Sequence, residues 1–342
     1  MIALVGIPRL KYDNKIIYYP PHRKGIPPAM FHVIADTFSW SGWRHEATVR
    51  VLPVCDRKSK RKFQKVLASL DREPPQFLLI ETVWENWGRG HRRRKFKQQA
   101  VIIGRMIHEY RSRGIPVVFW SKEDPPHFQR FIRWAKQCDL ILTTDVGCVP
   151  RYRDYGCSSV HPMTFPAQPA IHKNYFPQTK TVCFAGSWNK HHPTRLEGIH
   201  NLIDPLMNDG LDIFSRKGSW PEEYLSHIIG SYPYEELLRR YSAYIIGLSI
   251  SSVRESPTMF PRRVVEMICA GLLVISDRCL GVASLFPEIP QSTSPQQTRE
   301  IVDYYLTHEA DRLELVSSVR EKILAEHTYR HRVEYIEALL KQ

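Results

Sequence analysis

Short apolar runs bounded by polar turns alternate with longer periodic stretches along this chain, and that alternation is the strongest constraint on its fold. Phe31 to Ala35, Phe77 to Glu81, Val117 to Trp120 and Leu140 to Thr143 read as buried strands. Helical patterns lie between them, over about residues 93–113 with a stop at Gly114 and near 129–137. Strand, helix, strand in this order predicts parallel pairing through right-handed crossovers. The second half repeats the theme with strands at Thr181 to Ala185, Leu211 to Phe214, Tyr244 to Ile250 and Val274 to Ser276. A helix is expected over about 193–208 and a last periodic stretch over 310–340. Strand-like segments also stand at Ile2 to Ile7 and Lys15 to Tyr19.

A length of 342 residues is enough for two domains of ordinary size. Periodicity lapses around 155–179, where Pro162, Pro166, Pro169 and Pro177 mark a connector. The expected division is therefore an α/β domain over residues 1–172 and a second from 173. No apolar run approaches eighteen residues, and Met1 to Ile7 is too short for a secretory signal, so a soluble, cytoplasmic protein is expected. The seven cysteines show no metal-ligand spacing and read as reduced thiols, Cys148 and Cys157 included. The net charge of +13 calls for an anionic partner: a nucleotide diphosphate or an anionic membrane surface before nucleic acid, since no nucleic-acid-binding module surrounds the charges. The basic runs Arg57 to Lys65 and His91 to Lys97 equally suit solvated helix faces.

Ligands of parallel sheets sit beyond the C-terminal strand ends, and three of these ends in the first half are polar or aromatic. They carry Trp84 with Glu85, then Lys122, Glu123, Asp124 and His127, then Thr144 with Asp145. Glu123 and His127 suit general base work or acceptor binding, whereas Asp124 before Pro125 also reads as a helix N-cap.

In the second half, Ser256-Pro257-Thr258-Met259-Phe260-Pro261-Arg262-Arg263 runs into a ten-residue helix that starts at Pro261 and stops before Gly271. The free N–H groups of its first turn would face Ser256, Thr258 and Met259 and, with Arg262 and Arg263, suit a diphosphate. Glu266, one turn deeper than Arg262, suits ribose hydroxyls, although the same residues also fit an ordinary ion-pair cluster.

The run Ser256 to Glu266 resembles the donor loop of the nucleotide-sugar glycosyltransferases of GT-B fold, in particular the spore-maturation-protein-like branch with a group 1 type C-terminal domain. The likeness extends to the Asp36 loop, to Trp120 through His127, and to Phe184-Ala185-Gly186-Ser187-Trp188 with Arg195 beyond it. The second Glu of the broader retaining families, eight residues before Glu266, is Thr258 here.

This resemblance implies two Rossmann-like domains facing across a cleft, with residues from about 327 to 342 crossing back to the N-terminal domain and the donor domain spanning 173–326. It implies that a nucleotide-diphosphate sugar rests on Gly186, Ser187 and the Thr258 loop, with Arg262, Arg195 and Arg263 neutralising charge. Tyr232, Tyr234 and Arg216 would meet the base. Asp36, Trp84, Trp120, Lys122 and Asp124 would lie on the side of a glycan or lipid-linked acceptor, with Glu123, His127, Arg262 and Glu266 as the catalytic set. It further implies transfer with retention, without a metal and without a cofactor beyond the donor. A sugar-nucleotide epimerase on the same frame and a non-catalytic nucleotide-sugar-binding or scaffold protein are the alternatives.

Overall fold

The computed structural model describes residues 29–52, 59–82 and 93–342. The strand-like segments expected before residue 20 lie outside these. The chain forms two compact units, one of Met1–Thr143, Cys148–Met163 and Val333–Gln342, the other of Thr144–Gly147 and Thr164–Arg332.

The first unit contains β1 (Met30–Ile34), α1 (Thr37–Trp43), β2 (Thr48–Val51), α2 (Ser59–Leu70), β3 (Phe77–Glu81), α3 (Arg93–Arg111), β4 (Val117–Ser121), α4 (Phe128–Ala135), β5 (Leu140–Thr143), α5 (Cys148–Asp154) and β6 (Val160–Pro162). Its strands make one parallel sheet in the order β2-β1-β3-β4-β5-β6. Every residue of β3 and β4 is buried, which is why both read as unbroken apolar runs. On one face Leu78, Ile80, Val117, Phe119 and Ile141 pack with Ile103 and Met106 of α3 and Phe131 of α4. On the other, Phe31 stacks on Phe77 at 4.6 Å between ring centres, with Trp43 edge-on at 5.8 Å. Cys148 and Cys157 are separate thiols.

The second unit contains β7 (Lys180–Ala185), α6 (Pro193–Leu202), β8 (Leu211–Phe214), β9 (Ile228–Gly230), α7 (Tyr234–Tyr241), β10 (Tyr244–Ser249), α8 (Arg263–Cys269), β11 (Leu273–Asp277), α9 (Leu280–Leu285), β12 (Gln291–Ser292), α10 (Pro295–Thr307) and α11 (Glu309–Glu326). A last helix, α12 (Tyr329–Leu339), starts here, and from Val333 its residues count with the first unit. The sheet is again parallel, in the order β12-β11-β10-β7-β8-β9. Counted within the unit, that is the doubly wound order, with its direction reversing between β7 and β10.

Several helices depart from expectation, and three of the departures have a local cause. α6 ends at Leu202 and passes into a 3-10 turn over Asp204–Leu206, because Pro205 has no N–H to continue it. The stretch expected over 310–340 is two helices, parted where Ala167 pairs with the backbone on both sides of Thr328, through His327 O at 2.7 Å and Tyr329 N at 3.0 Å. α10 was not anticipated; Ser294 caps it by accepting from Gln297 N at 3.2 Å, with Pro295 in its first turn. Among the described residues no helix is long and apolar enough to cross a membrane.

Candidate functional site

The reversal point of the second sheet is where a doubly wound fold binds ligands, and cationic side chains gather there. Gly186 follows β7 and donates to Phe214 O at 3.3 Å. Arg195, in the first turn of α6, reaches back over both strand ends: Nη2 donates to Ser187 O at 3.2 Å and Nη1 to Ile250 O at 3.5 Å. Burial, and after it the like charge of Arg263, pulls Arg195 below the ordinary guanidinium range, with Asp277 opposing. Arg263 opens α8, and its buried Nε has no acceptor among the described residues. Two arginines at one sheet reversal, one of them with a donor that no described residue accepts, favour an anion at this rim.

The loop between β10 and α8 is anchored at both ends. Asp277, at the end of β11 and 1% exposed, accepts from Ser251 N at 2.9 Å and from Arg254. Burial raises its carboxyl to about 6 although Ser251 and Arg254 both lower it. Farther on, Ser256 Oγ donates to Asp145 Oδ1 at 2.6 Å and accepts from Met259 N at 3.0 Å and Thr258 N at 3.4 Å. Thr258 Oγ1 donates to Thr144 O and accepts from Val146 N, both at 2.9 Å; these partners belong to the same unit.

These contacts correct the expected cradle. The amides of Thr258 and Met259 turn onto Ser256 Oγ instead of lying open to a diphosphate, with Pro257 exposed beside them. α8 begins at Arg263 and has seven residues, because Pro261 and Arg262 form a preceding turn in which Pro261 O accepts from Val264 N at 3.0 Å. Its far end is as expected: Gly271 has φ +94°, and Leu272 N and Gly271 N close back on Met267 O and Ile268 O, both at 3.0 Å.

Glu266 is 2% exposed. Its Oε1 accepts from Arg262 Nε at 2.9 Å and from the Tyr234 hydroxyl at 2.6 Å, while Oε2 has no partner among the described residues. Burial pushes this carboxyl up, but Arg262, His172, Tyr234 and Arg263 together outweigh it and hold it below the usual range. Arg262, expected at the diphosphate, is thus paired with Glu266. Tyr234, expected at the base, is buried with its hydroxyl between Glu266 and His172 Nε2, the latter at 2.9 Å. His172 lies in the aperiodic connector, where no sequence signal marked it. Tyr232 is half-buried under the Arg240 guanidinium at 3.8 Å, and its hydroxyl donates to Ile229 O. Trp188 packs on Trp220 and Tyr224 at 5.7 and 5.5 Å, and Arg216 is exposed after β8.

In the first unit the sheet reverses between β1 and β3, and the strand ends there close on one cation. Lys122 Nζ donates to Asp36 Oδ2 at 2.7 Å, Glu81 Oε2 at 2.7 Å and Ser39 Oγ at 2.8 Å. Trp43 Nε1 donates to the other oxygen of Glu81 at 3.0 Å. Burial raises the Glu81 carboxyl, with Lys122 opposing. Trp120 is fully buried and donates to Met163 O, so its ring offers no face to a sugar. Asp124 caps no helix: α4 starts at Phe128, and the Asp124 carboxylate turns inward to accept from Thr143 Oγ1 at 2.7 Å and the Tyr152 hydroxyl at 2.9 Å. Glu123 and His127 remain half-buried. Burial, then Arg130, holds His127 below the usual imidazole range. Trp84 lies outside the described residues, as do Glu85 and Trp87. Among the described residues no group of three or more His, Cys, Asp or Glu is placed to hold a metal ion.

Residues 195–338 match the family model described as Glycosyl transferase-like. No curated protein sequence matches the chain. Among solved structures, Anabaena HepE in complex with UDP superposes with a TM-score of 0.56 at 14% identity, over 91% of this chain and 92% of that one. T4 phage BGT in complex with UDP and Mn2+ superposes with a TM-score of 0.52 at 10% identity, over 90% and 98%. The fold is that of the GT-B glycosyltransferases, two Rossmann-like units on parallel sheets.

Proposed function

We propose that this chain is a glycosyltransferase whose second unit holds a nucleoside diphosphate sugar. The observation that carries the reading is Arg195 spanning the ends of β7 and β10 at the reversal of the second sheet, with the unpaired Arg263 Nε at the start of the helix that follows β10, in a region that the glycosyl transferase-like model matches. The diphosphate takes the two guanidiniums, the ribose hydroxyls take Glu266 Oε2, and the base lies toward Tyr232, Arg216 and Trp188. The bond between the anomeric carbon and the phosphate oxygen breaks, and the nucleoside diphosphate leaves with the electron pair. An acceptor hydroxyl oxygen takes its place and gives up its proton. Fixed cations stabilise the departing charge without reorganising as it develops. Because two guanidiniums supply that charge, the reaction is read as metal-independent.

Glu123 and His127 are the groups assigned to the acceptor, and a neutral His127 is able to take a proton. The loop Ser256 to Glu266 favours the spore-maturation-protein-like branch and, with it, retention of configuration. A glycan or lipid-linked acceptor in surface polysaccharide biosynthesis, at the cytoplasmic face of an anionic membrane, agrees with the charge of +13. The test is a panel of nucleotide sugars screened by thermal stabilisation, followed by turnover of those that bind, with EDTA present. One donor should stabilise the protein and be consumed only with an acceptor, and Arg195→Ala with Arg263→Ala should abolish both effects. Binding and turnover that survive in that double variant sink the assignment.

A further inference from the structure

Glu266 is the last member of a directed hydrogen-bond chain that begins outside α8. Gln168 fixes a turn by accepting from Ile171 N at 3.0 Å and His172 N at 2.7 Å. In the same turn the Gln168 N–H donates to His172 Nδ1 at 3.0 Å. An imidazole nitrogen that accepts carries no proton, so the hydrogen of the neutral ring sits on Nε2. Nε2 lies 2.9 Å from the Tyr234 hydroxyl oxygen and donates to it. That hydroxyl spends its own hydrogen on Glu266 Oε1, at 2.6 Å. His172 is 2% exposed and Tyr234 is 6% exposed. Burial lowers His172 to about 4, so the ring remains a neutral donor at physiological pH. The chain therefore runs from Gln168 through His172 and Tyr234 to Glu266. It ends with Oε1 doubly occupied, by Tyr234 and Arg262, and with Oε2 unoccupied by the protein.

We propose that His172 and Tyr234 are positioning residues that occupy one oxygen of Glu266 so that the other faces the ribose hydroxyls, making the site selective for ribonucleotides over nucleotides lacking those hydroxyls. This rests on the reading that Glu266 meets the donor ribose. A carboxylate with two freely rotating oxygens would accept such hydroxyls with poor geometry, whereas one fixed by two donors presents its second lone pairs in a set direction.

The experiment measures the affinities of UDP and GDP, and of their 2′,3′-dideoxy analogues, by calorimetry on the full chain. Wild type should prefer the ribo form of whichever nucleotide binds. Tyr234→Phe, which removes a single oxygen, should cut that preference about tenfold, the scale of one hydrogen bond to a charged group, and leave dideoxy affinity unchanged. His172→Leu should reduce the preference severalfold. His172→Gln, whose amide can place a donor near the Nε2 position, should restore much of it. Full wild-type preference in both Tyr234→Phe and His172→Leu overturns the proposal. A wild type that binds nucleotide without preferring ribose overturns instead the ribose reading of Glu266, and a wild type that binds neither nucleotide overturns the donor site itself.

Discussion

Arg254 grips the Asp277 carboxylate through two nitrogens, Nε at 3.3 Å and Nη2 at 3.1 Å, and spends the third, Nη1, on Glu197 at 2.7 Å. Nη2 also donates to Thr194 O at 2.8 Å, so one side chain ties the start of α6, which carries Arg195, to the end of β11. Arg254→Ala leaves Asp277 buried without its guanidinium partner, with the Ser251 N–H as its remaining hydrogen-bond donor and Arg195 as a nearby cation. The expected cost is about 3 kcal/mol, the scale of breaking a buried pair by removing one partner. Asp277→Asn, which removes the charge, should cost less. Urea denaturation of both variants checks the order, and a reversed order contradicts the anchoring role.

Gly281 faces the Ser256 loop so closely that a Cβ would stand 2.2 Å from Met259 O and 3.2 Å from Ser256 O. Backbone atoms cannot yield as a flexible side chain does. Gly281→Ala should therefore displace the loop, lower stability by about 1–3 kcal/mol and weaken nucleotide binding through the shifted Arg263. An unchanged melting temperature would show that the loop is not held there.

How much of this could be read beforehand depended on sequence distance. Strands β3, β5 and β8 match their expected bounds end to end, since burial on both faces makes them mostly apolar, with Glu81 and Thr143 at strand ends and Asp212 the one interior polar residue. The Arg262–Glu266 pair was visible because four residues bring side chains together on any helix. The partners that decide what Glu266 can do, Tyr234 and His172, arrive from 32 and 94 residues away and left no local trace. Asp124 followed by Pro125 fits a helix start by every local rule, but the carboxylate found Thr143 and Tyr152 instead, again a tertiary matter. A local signal does mark α10: Ser294 with Gln297 three residues later is a capping pattern, and Ser294 caps the helix.

Stability should fall on mild acidification. Burial lowers His32 to about 3 and lowers His172 and His327 to about 4, against an ordinary 6.5. Each therefore contributes stability that is complete above pH 6.5 and lost as pH falls toward its folded value. By pH 5 the loss is about 2 kcal/mol per histidine. Asp277 acts in the opposite sense: raised from 3.8 to about 6, it returns about 1.4 kcal/mol by pH 5. The net expectation is a loss of roughly 4–5 kcal/mol between pH 7.5 and pH 5. Guanidinium unfolding at the two pH values measures it, and equal stabilities would contradict the burial of these imidazoles.

Lys122 is 7% exposed and Glu81 fully buried, so the cation between β1, β3 and β4 balances charge in the first unit and does not stand free for a ligand. Lys122→Met should destabilise by about 3–5 kcal/mol because Glu81 and Asp36 then face each other without it. Adding Glu81→Gln should recover part of that loss, the coupling expected of direct partners. A cost below about 1 kcal/mol for the single change would place Lys122 among surface-like pairs.

The central claim is that Arg195 and Arg263 together form the diphosphate site of the second unit. A crystal structure of the chain soaked with UDP or GDP tests it most directly. The account predicts phosphate oxygens on both guanidiniums and the ribose hydroxyls on Glu266 Oε2, with Arg262 still holding Oε1. A nucleotide bound elsewhere, with Arg195 and Arg263 untouched, would contradict it.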